Sequence, residues 1–408
     1  MRTRLRLGLY NIQELSTEKL TMVDAQGRGT HPQLLAAAAI IARHQPDVLV
    51  INEIDHDLST SDPYLNLQRF RTAYLIPAVR QVGQMEASGG DRRQRLGGGA
   101  DIWPHLFTAP CNTGIPSGFD FNGDGAVATP ENLGTHEYAL DCWGYGRYPG
   151  QYCMAVFSRY PIDSKAARTF QHFLWKNLPG NHMPVEAYPV GASERFPLSS
   201  KSHWVVPVVT PAGPLHLWMC HPTPRGYGDD GGRNMARNHD ELAFWKVYLD
   251  GGHGLVDDQG RAGGHPSAVP AVLIGDLNAE PDAGRGTVLG ATMDLLLKHP
   301  QLQDTARWLT GSGALEGGMP GPPEYLEQRT MRHPRGTARL DYILPTPQVR
   351  VEGGGVFWPT HTADAEGARL AHEGSDHRFC YLDVALDGQE PAATQPAVRG
   401  AKARQQMR

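Results

Sequence analysis

Pro270-Ala271-Val272-Leu273-Ile274-Gly275-Asp276-Leu277-Asn278-Ala279-Glu280-Pro281 is the stretch on which the reading of this chain turns. Its apolar run, Ala271 to Ile274, predicts a short buried strand. The strand stops at Gly275, a carboxylate and an amide follow two positions apart, and Pro281 closes the turn. Side chains alternate along a strand, so Asp276 and Asn278 are expected to point the same way. A carboxylate that takes charge or a proton, beside an amide that orients an oxygen, suits an anionic substrate held with a metal. A plain Asp-Asn turn accounts for the stretch equally well when it is taken alone. What decides is whether the arrangement recurs.

It recurs on both sides. Leu5 to Glu14 alternates like an edge or half-buried strand and ends in polar residues, Asn11 among them. Pro32 to His44 is rich in Ala, Leu and Ile at helical spacing, and Pro46-Asp47 closes it. Asp47-Val48-Leu49-Val50-Ile51-Asn52-Glu53-Ile54-Asp55 is a second buried strand ending in acids. Strand, helix, strand with carboxylates at the strand ends is an α/β layout whose active face lies at the carboxyl edge. Further strands are predicted at 152–161, 203–209, 215–222, 340–344 and 374–384, and helices at 237–248 and 287–299. Between 57 and 148 the pattern loosens into polar turns with Gly89-Gly90 and Gly97-Gly98-Gly99, which reads as a long loop insertion rather than a second domain. One domain over 1–386 is expected, followed by a disordered tail over 387–408 rich in Gln, Ala, Pro, Arg and Lys.

A chain of 408 residues, 40% hydrophobic and 20% charged, is ordinary for a globular enzyme. The formal net charge of −5 argues against a protein that lives on duplex DNA, where a basic footprint is expected. Cysteines at 111, 142, 153, 220 and 380 have neither zinc-site spacing nor a paired framework, and leave room for at most two disulfides. The N-terminus is basic without an apolar core behind it, and no apolar run is long enough to span a membrane. With no export signal in the chain as numbered, a cytoplasmic location is the default; a removed signal makes it secreted or periplasmic.

Six strand ends carry polar residues: Asn11, Glu53, His221, Asp276 with Asn278, Asp341, and Asp376 with His377. Glu53 and Asp376 suit a hard divalent cation, which takes oxygen ligands. The histidines and the other aspartates suit proton transfer and charge orientation. Taken in order, Asn11-Ile12-Gln13, Asn52-Glu53, His221-Pro222-Thr223, Gly275-Asp276-Leu277-Asn278, Arg339-Leu340-Asp341-Tyr342 and Ser375-Asp376-His377 resemble the motif set of the endonuclease/exonuclease/phosphatase superfamily. Phe157-Ser158-Arg159 resembles that superfamily's buried strand before its second half, and the resemblance runs over roughly residues 5–386. Gly144 to Tyr152 and Leu198 to Trp204 are similar, more narrowly, to bacterial members of unassigned substrate, many of them exported.

The resemblance implies a four-layer α/β sandwich of two packed mixed sheets flanked by helices; the residues themselves support only α/β. It implies that Glu53 is the main ligand of Mg²⁺ or Mn²⁺, with Asn11 and Asp376 completing the site beside waters. It implies that Asp276 positions or deprotonates the attacking water and that Asn278 holds a phosphate oxygen. It implies that His221 and His377 contact the phosphate, and that Asp341 keeps one of these imidazoles cationic, as a neighbouring carboxylate does.

Arg147, Lys201, His203, Arg233 and Arg237 are candidate substrate contacts, because Arg binds phosphate in a bidentate way; a solvated face explains Arg237 as well. Asp55 reads as a loop acid. Asp120-Phe121-Asn122-Gly123-Asp124-Gly125, with Glu131 at the twelfth position, matches a Ca²⁺-loop pattern, so Asp120, Asn122, Asp124 and Glu131 are expected to hold a structural Ca²⁺ that orders the insertion. The expected function is divalent-metal-dependent hydrolysis of a phosphate ester, as a phosphodiesterase or phosphatase on a small or lipid-like organic phosphate. Nucleic acid is a less favoured substrate, since no basic cluster interleaved with aromatics occurs, and a Mg²⁺-dependent nuclease is the alternative. A binding protein that keeps the fold without turnover is the alternative of another class.

Overall fold

Strands that are apolar at consecutive positions must be covered on both faces, and that requirement sets the architecture. The computed structural model describes residues 2–58, 60–89, 102–226, 232–317, 323–334 and 336–388. Its strands are β1 (Arg2–Leu15), β2 (Val48–Ile54), β3 (His105–Phe107), β4 (Cys153–Ser158), β5 (Arg168–Thr169), β6 (Trp204–Thr210), β7 (Gly213–Met219), β8 (Ala271–Asp276), β9 (Met331–His333), β10 (Gly336–Ala338), β11 (Asp341–Pro345), β12 (Arg350–Val356) and β13 (Cys380–Asp387). One mixed sheet runs β12-β13-β1-β2-β4-β3, a second runs β11-β8-β7-β6-β5, and β9 and β10 form a ribbon.

Period-two alternation sorts the apolar side chains into three buried clusters. Leu5, Leu7 and Leu9 of β1 and Val48 and Val50 of β2 face the second sheet and meet Leu215, Leu217, Val272 and Ile274. Tyr10, Ile12, Leu49 and Ile51 take the opposite face, under the helices Pro32–His44 and Ile76–Gly89. The second sheet turns Trp218, Leu273 and Tyr342 outward beneath Leu242, Trp245 and Tyr248 of the helix Arg233–Leu249. The layers are therefore helix, sheet, sheet, helix, the sandwich that the motif set implies.

β1 and β2 pair in parallel with Asn11 opposite Asn52, joined by the helix Pro32–His44 as a βαβ crossover. β7 and β8 are parallel as well, whereas β8 and β11 are antiparallel with Asp341 opposite Asp276. These registers bring the polar ends of β1, β2 and β8 and the start of β11 to one rim.

Three expectations change. Residues 287–299 hold only the helix Asp294–Leu297, because Gly284, Gly286 and Gly290 sit at φ +82°, +82° and +67° and break the chain into turns. The region 57–148 is not all loop: Leu65–Arg69 and Ile76–Gly89 are helical, and β3 adds a strand to the first sheet. The helix expected from 237 starts earlier, at Arg233. Gly97-Gly98-Gly99 and the tail from 389 lie outside the described residues. All five cysteines are buried free thiols. No helix among the described residues is long and apolar enough to cross a membrane.

Gly275 shows why the central motif begins with glycine. A Cβ there would lie 2.2 Å from the carbonyl oxygen of Cys220, the residue that follows β7 and precedes His221. Gly275→Ala is expected to lower the free energy of unfolding by about 2 kcal/mol through overpacking. Gly83→Ala, on an exposed helical position with open space around it, should be neutral or stabilising by roughly 0.5–1 kcal/mol. Urea denaturation of both variants checks this, and equal midpoints would show that β8 has room to move.

Candidate functional site

Asp276, the last residue of β8, is the point where the two sheets touch through polar atoms. Its backbone N–H donates to Asn52 Oδ1 at 3.1 Å, and its Oδ2 accepts from Asn11 Nδ2 at 2.9 Å. Asn278 does not continue the strand and does not point the same way by alternation. It sits at φ +51°, a conformation asparagine tolerates, and its N–H donates to Asp276 Oδ1 at 2.9 Å. Its side-chain Nδ2 donates to Pro222 O at 3.0 Å, tying the Asp276 turn to the loop of His221.

Two imidazoles flank the same carboxylate. His221 Nε2 lies 3.4 Å and His377 Nε2 3.7 Å from Asp276 Oδ2. Burial pushes the Asp276 pKa up, but the charges of His377 and His221 outweigh it and hold the group well below the usual carboxylate range. His377 Nδ1 is 2.8 Å from Asp341 Oδ2. A carboxylate only accepts, so Nδ1 carries the proton and Nε2 faces Asp276. Burial lowers the His377 pKa, yet Asp341 and Asp276 together raise it to about 10. Asp341 itself is raised, chiefly by burial. Asp276, Asp341 and His377 are close enough to hold an ion, but the hydrogen bond between Asp341 and His377 makes them a relay of alternating charge.

The oxygen donors expected at a metal lie beside this relay. Asn11 Nδ2 also donates to Glu53 Oε1 at 3.1 Å, and Glu14 N–H donates to Glu53 Oε2 at 2.9 Å. Glu53 sits at φ +72° where the β1–β2 and β2–β4 registers shift; such a bulge re-aims a side chain. Asn11 Oδ1 is buried with no hydrogen-bond partner among the described residues. A buried, unpaired carbonyl oxygen next to a carboxylate fits a hard cation that takes oxygen ligands. Ser375 Oγ donates to Asn11 O at 2.8 Å and accepts from His377 N–H at 3.2 Å, which docks the Asp376-His377 turn against β1. A cleft of about 500 Å³ opens beside Asp376, lined by Gln13, Gln33, Arg332, His372 and Arg378.

Of the candidate substrate contacts, Lys201 is 6% exposed, with Glu241, Glu53 and Asp276 acting on its charge, and burial lowers its pKa. No hydrogen bond involves its ammonium among the described residues. Arg147 stays exposed at the rim, bonded to Tyr145 with Glu14 nearby. Arg237 is corrected to a structural role: it is buried, donates to Leu198 O and Pro197 O, and lies over Phe196. His203 likewise bonds Glu241 O and packs on Phe244, and burial brings its pKa to about 4. Arg233 donates to Phe121 O. Asp55 accepts from Thr17 N–H and Tyr148 OH, and burial raises its pKa to about 6, so it organises the loop.

Two residues escaped the sequence reading. Buried Glu241, on the helix Arg233–Leu249, accepts from Ser200 N–H and Thr223 N–H, both at 2.6 Å, and so clamps the Lys201 and His221 loops together. Glu14, at φ +49°, receives Tyr152 OH at 2.9 Å and supports Glu53. Glu14 directly follows a quoted motif, which was its one signal; Glu241 sits mid-helix with none.

In the expected Ca²⁺ loop, Asp120 and Asp124 do converge, but with Asp141 rather than Glu131. Asp120 accepts from Gly123 and Gly125 N–H, and Asn122 Nδ2 donates to Asp124. Glu131 instead bonds Thr129 in the turn Pro130–Asn132, since Pro130 starts a new helical turn there and carries the side chain away.

Two mixed sheets packed face to face, with carboxylates, imidazoles and amides gathered where their edges meet, define an α/β sandwich with a polar rim site. The chain belongs to the Endonuclease/Exonuclease/phosphatase family, whose pattern it matches over residues 8–377. Among solved structures it is similar to an endonuclease/exonuclease/phosphatase from Beutenbergia cavernae, at 18% identity and TM-score 0.48, covering 94% of this chain and 72% of that one. It is also similar to a family protein from Bacteroides thetaiotaomicron, at 13% identity and TM-score 0.45 over 95% and 99% of the two chains. A third is ANGEL2, a 2′,3′-cyclic phosphatase, at 10% identity and TM-score 0.42 over 95% and 96%. None of the curated proteins matches in sequence.

The relay carries a signed pH prediction. His377 is held above its ordinary value by Asp341, so its folded-state charge stabilises the protein below about pH 6.5 and is lost as pH rises through about 10. In Asp341→Asn the imidazole should titrate at lower pH, and any alkaline limb that it sets in the rate profile should move down with it. NMR titration of the His377 ring reads this directly, and an unmoved titration would remove Asp341 from the relay.

Proposed function

We propose that the protein hydrolyses a phosphate ester by metal-assisted, in-line attack of water. The observation that supports it is the shared contact of Asn11, whose amide bridges the Glu53 carboxylate and the ionised Asp276, itself flanked by His221 and His377. Glu53, Asn11 and Asp376 would hold Mg²⁺ or Mn²⁺, which when bound would supply charge neutralisation at the phosphate.

The rest is done by side chains. A carboxylate with its pKa depressed as far as that of Asp276 is a weak base, so its part is to orient the water and hold the two imidazoles rather than to keep a proton. His377, cationic at neutral pH, balances charge that develops on the phosphoryl oxygens. His221 stands on the other side of Asp276 and is the partner for a leaving oxygen. Asn278, with one N–H spent on Pro222, steers an oxygen with the other. Lys201 adds a second buried cation and Arg147 one at the rim. The net charge of −5 favours a small or lipid-like organic phosphate over DNA.

Glu53→Gln should remove at least about a hundredfold of metal-dependent turnover while leaving the melting temperature intact, and Asp276→Asn and His377→Ala should lose as much. Lys201→Met should cost about tenfold to a hundredfold. The assay compares para-nitrophenyl phosphate, its bis ester, phospholipid and DNA with Mg²⁺, Mn²⁺ or no metal. Preferential cleavage of DNA makes the protein a nuclease, and silence on every substrate with every metal leaves a binding protein. Normal turnover of Glu53→Gln at low Mg²⁺ would displace the metal site.

The loop Asp120–Asp124, closed by Asp141, is proposed as a structural Ca²⁺ site. Ca²⁺ at a hundredfold excess over its dissociation constant should stabilise the fold by about 2.7 kcal/mol. Chelation should then lower the melting temperature of wild type but not of Asp120→Ala/Asp124→Ala, and Mg²⁺ should restore little of it. Identical melting of both proteins with and without Ca²⁺ reduces the motif to a turn.

A further inference from the structure

Away from the rim, His182, His239 and Asp240 form a cluster to which the proposed reaction gives no part. His239 and Asp240 lie on the helix Arg233–Leu249, and His182 comes from the loop that follows the turn Trp175–Asn177. The Nδ1 atoms of both histidines lie 2.9 Å from one and the same oxygen, Asp240 Oδ1. Their rings stand edge to face, with centroids 4.7 Å apart at 83°. The other carboxylate oxygen, Oδ2, is taken by two N–H donors, Trp175 Nε1 and the backbone of His182, both at 2.6 Å.

We infer that this cluster is a transition-metal site, with His182 Nδ1, His239 Nδ1 and Asp240 Oδ1 as ligands and Zn²⁺ as the ion its chemistry fits. Two imidazoles and one carboxylate make a nitrogen-rich set that suits zinc rather than Mg²⁺ or Ca²⁺. The three ligand atoms lie within 4.8 Å of one another. A tetrahedral ion with bonds of about 2.0–2.1 Å wants its ligand atoms about 3.3 Å apart, so each 2.9 Å separation between an imidazole Nδ1 and Asp240 Oδ1 has to open by about 0.4 Å.

The surroundings have the features of a ligand shell. The two donors on Oδ2 hold the carboxylate so that Oδ1 faces the imidazoles, the kind of outer support that orients metal ligands. Asp240 and His239 have side-chain exposures of 1% and 8%, whereas that of His182 is 43%, which gives the ion a path in and leaves a fourth position for water. Binding needs no net proton release from neutral imidazoles, because each ring moves its proton from Nδ1 to Nε2. The ion would pin the 172–184 loop to the helix that carries Glu241, the clamp on the His221 and Lys201 loops.

The test is a Zn²⁺ titration of the intact protein against a chromophoric chelator, repeated for His182→Ala, His182→Gln and Glu53→Gln. Wild type and Glu53→Gln should each hold one equivalent that both His182 variants bind at least about a hundredfold more weakly. Co²⁺ in place of Zn²⁺ should give the intense visible bands of a four-coordinate site in wild type and lose them in His182→Ala. Because His182 is half-exposed, its variants are expected to keep the wild-type circular dichroism. The inference is overturned if wild type and the His182 variants take up equal equivalents at similar affinity, or if the one equivalent held by wild type is missing from Glu53→Gln.

Discussion

The structure depends on a polar seam between two sheets that otherwise meet through hydrocarbon. Apolar packing is non-directional, so the Leu and Val layer between the sheets leaves their relative placement loosely specified. Asn11 and Asn52 remove that freedom. One donates to the Asp276 carboxylate and the other accepts from the Asp276 N–H, at 2.9 Å and 3.1 Å. Leaving any of these buried groups unpaired would cost about 1–3 kcal/mol. The register of sheet against sheet is therefore fixed at Asp276.

Charge alternates outward from that seam. Asp341, His377, Asp276 and His221 form a buried row in which carboxylates and imidazoles alternate. Taken singly, each group pays for burial; together they keep one carboxylate ionised and one imidazole protonated. Asn11 joins Glu53 to this row, donating to Glu53 Oε1 at 3.1 Å and to Asp276 Oδ2 at 2.9 Å, so a cation bound there would act on a substrate that the row also touches. Glu241 and Ser375 hold the loops in place without entering the chemistry.

Much of this was legible in the sequence. The strands, the crossover helix and the ordered motifs could be read because apolar runs and strand-end acids are local signals. Asn278 was only half legible: its nearness to Asp276 was right, but a left-handed turn rather than strand alternation produces it. Arg237 and His203 misled because a cation near a motif looks the same whether it faces a phosphate or a backbone carbonyl. The predicted helix at 287–299 failed because Gly284, Gly286 and Gly290 outweigh the apolar spacing of the residues after them. Glu131 fitted a twelve-residue pattern, yet it is Asp141, beyond that pattern, that converges with Asp120 and Asp124. Contacts between residues far apart in the chain, such as Glu241 with Ser200 and Thr223, leave no local trace at all.

The central claim is that water, oriented by Asp276, attacks phosphorus at this rim. Hydrolysis of bis-para-nitrophenyl phosphate with Mg²⁺ or Mn²⁺ in ¹⁸O-labelled water tests it most directly. The account predicts one labelled oxygen in the phosphate product, none in the nitrophenol, and loss of label incorporation in Asp276→Asn. Label in the nitrophenol, or undiminished incorporation in Asp276→Asn, would contradict it.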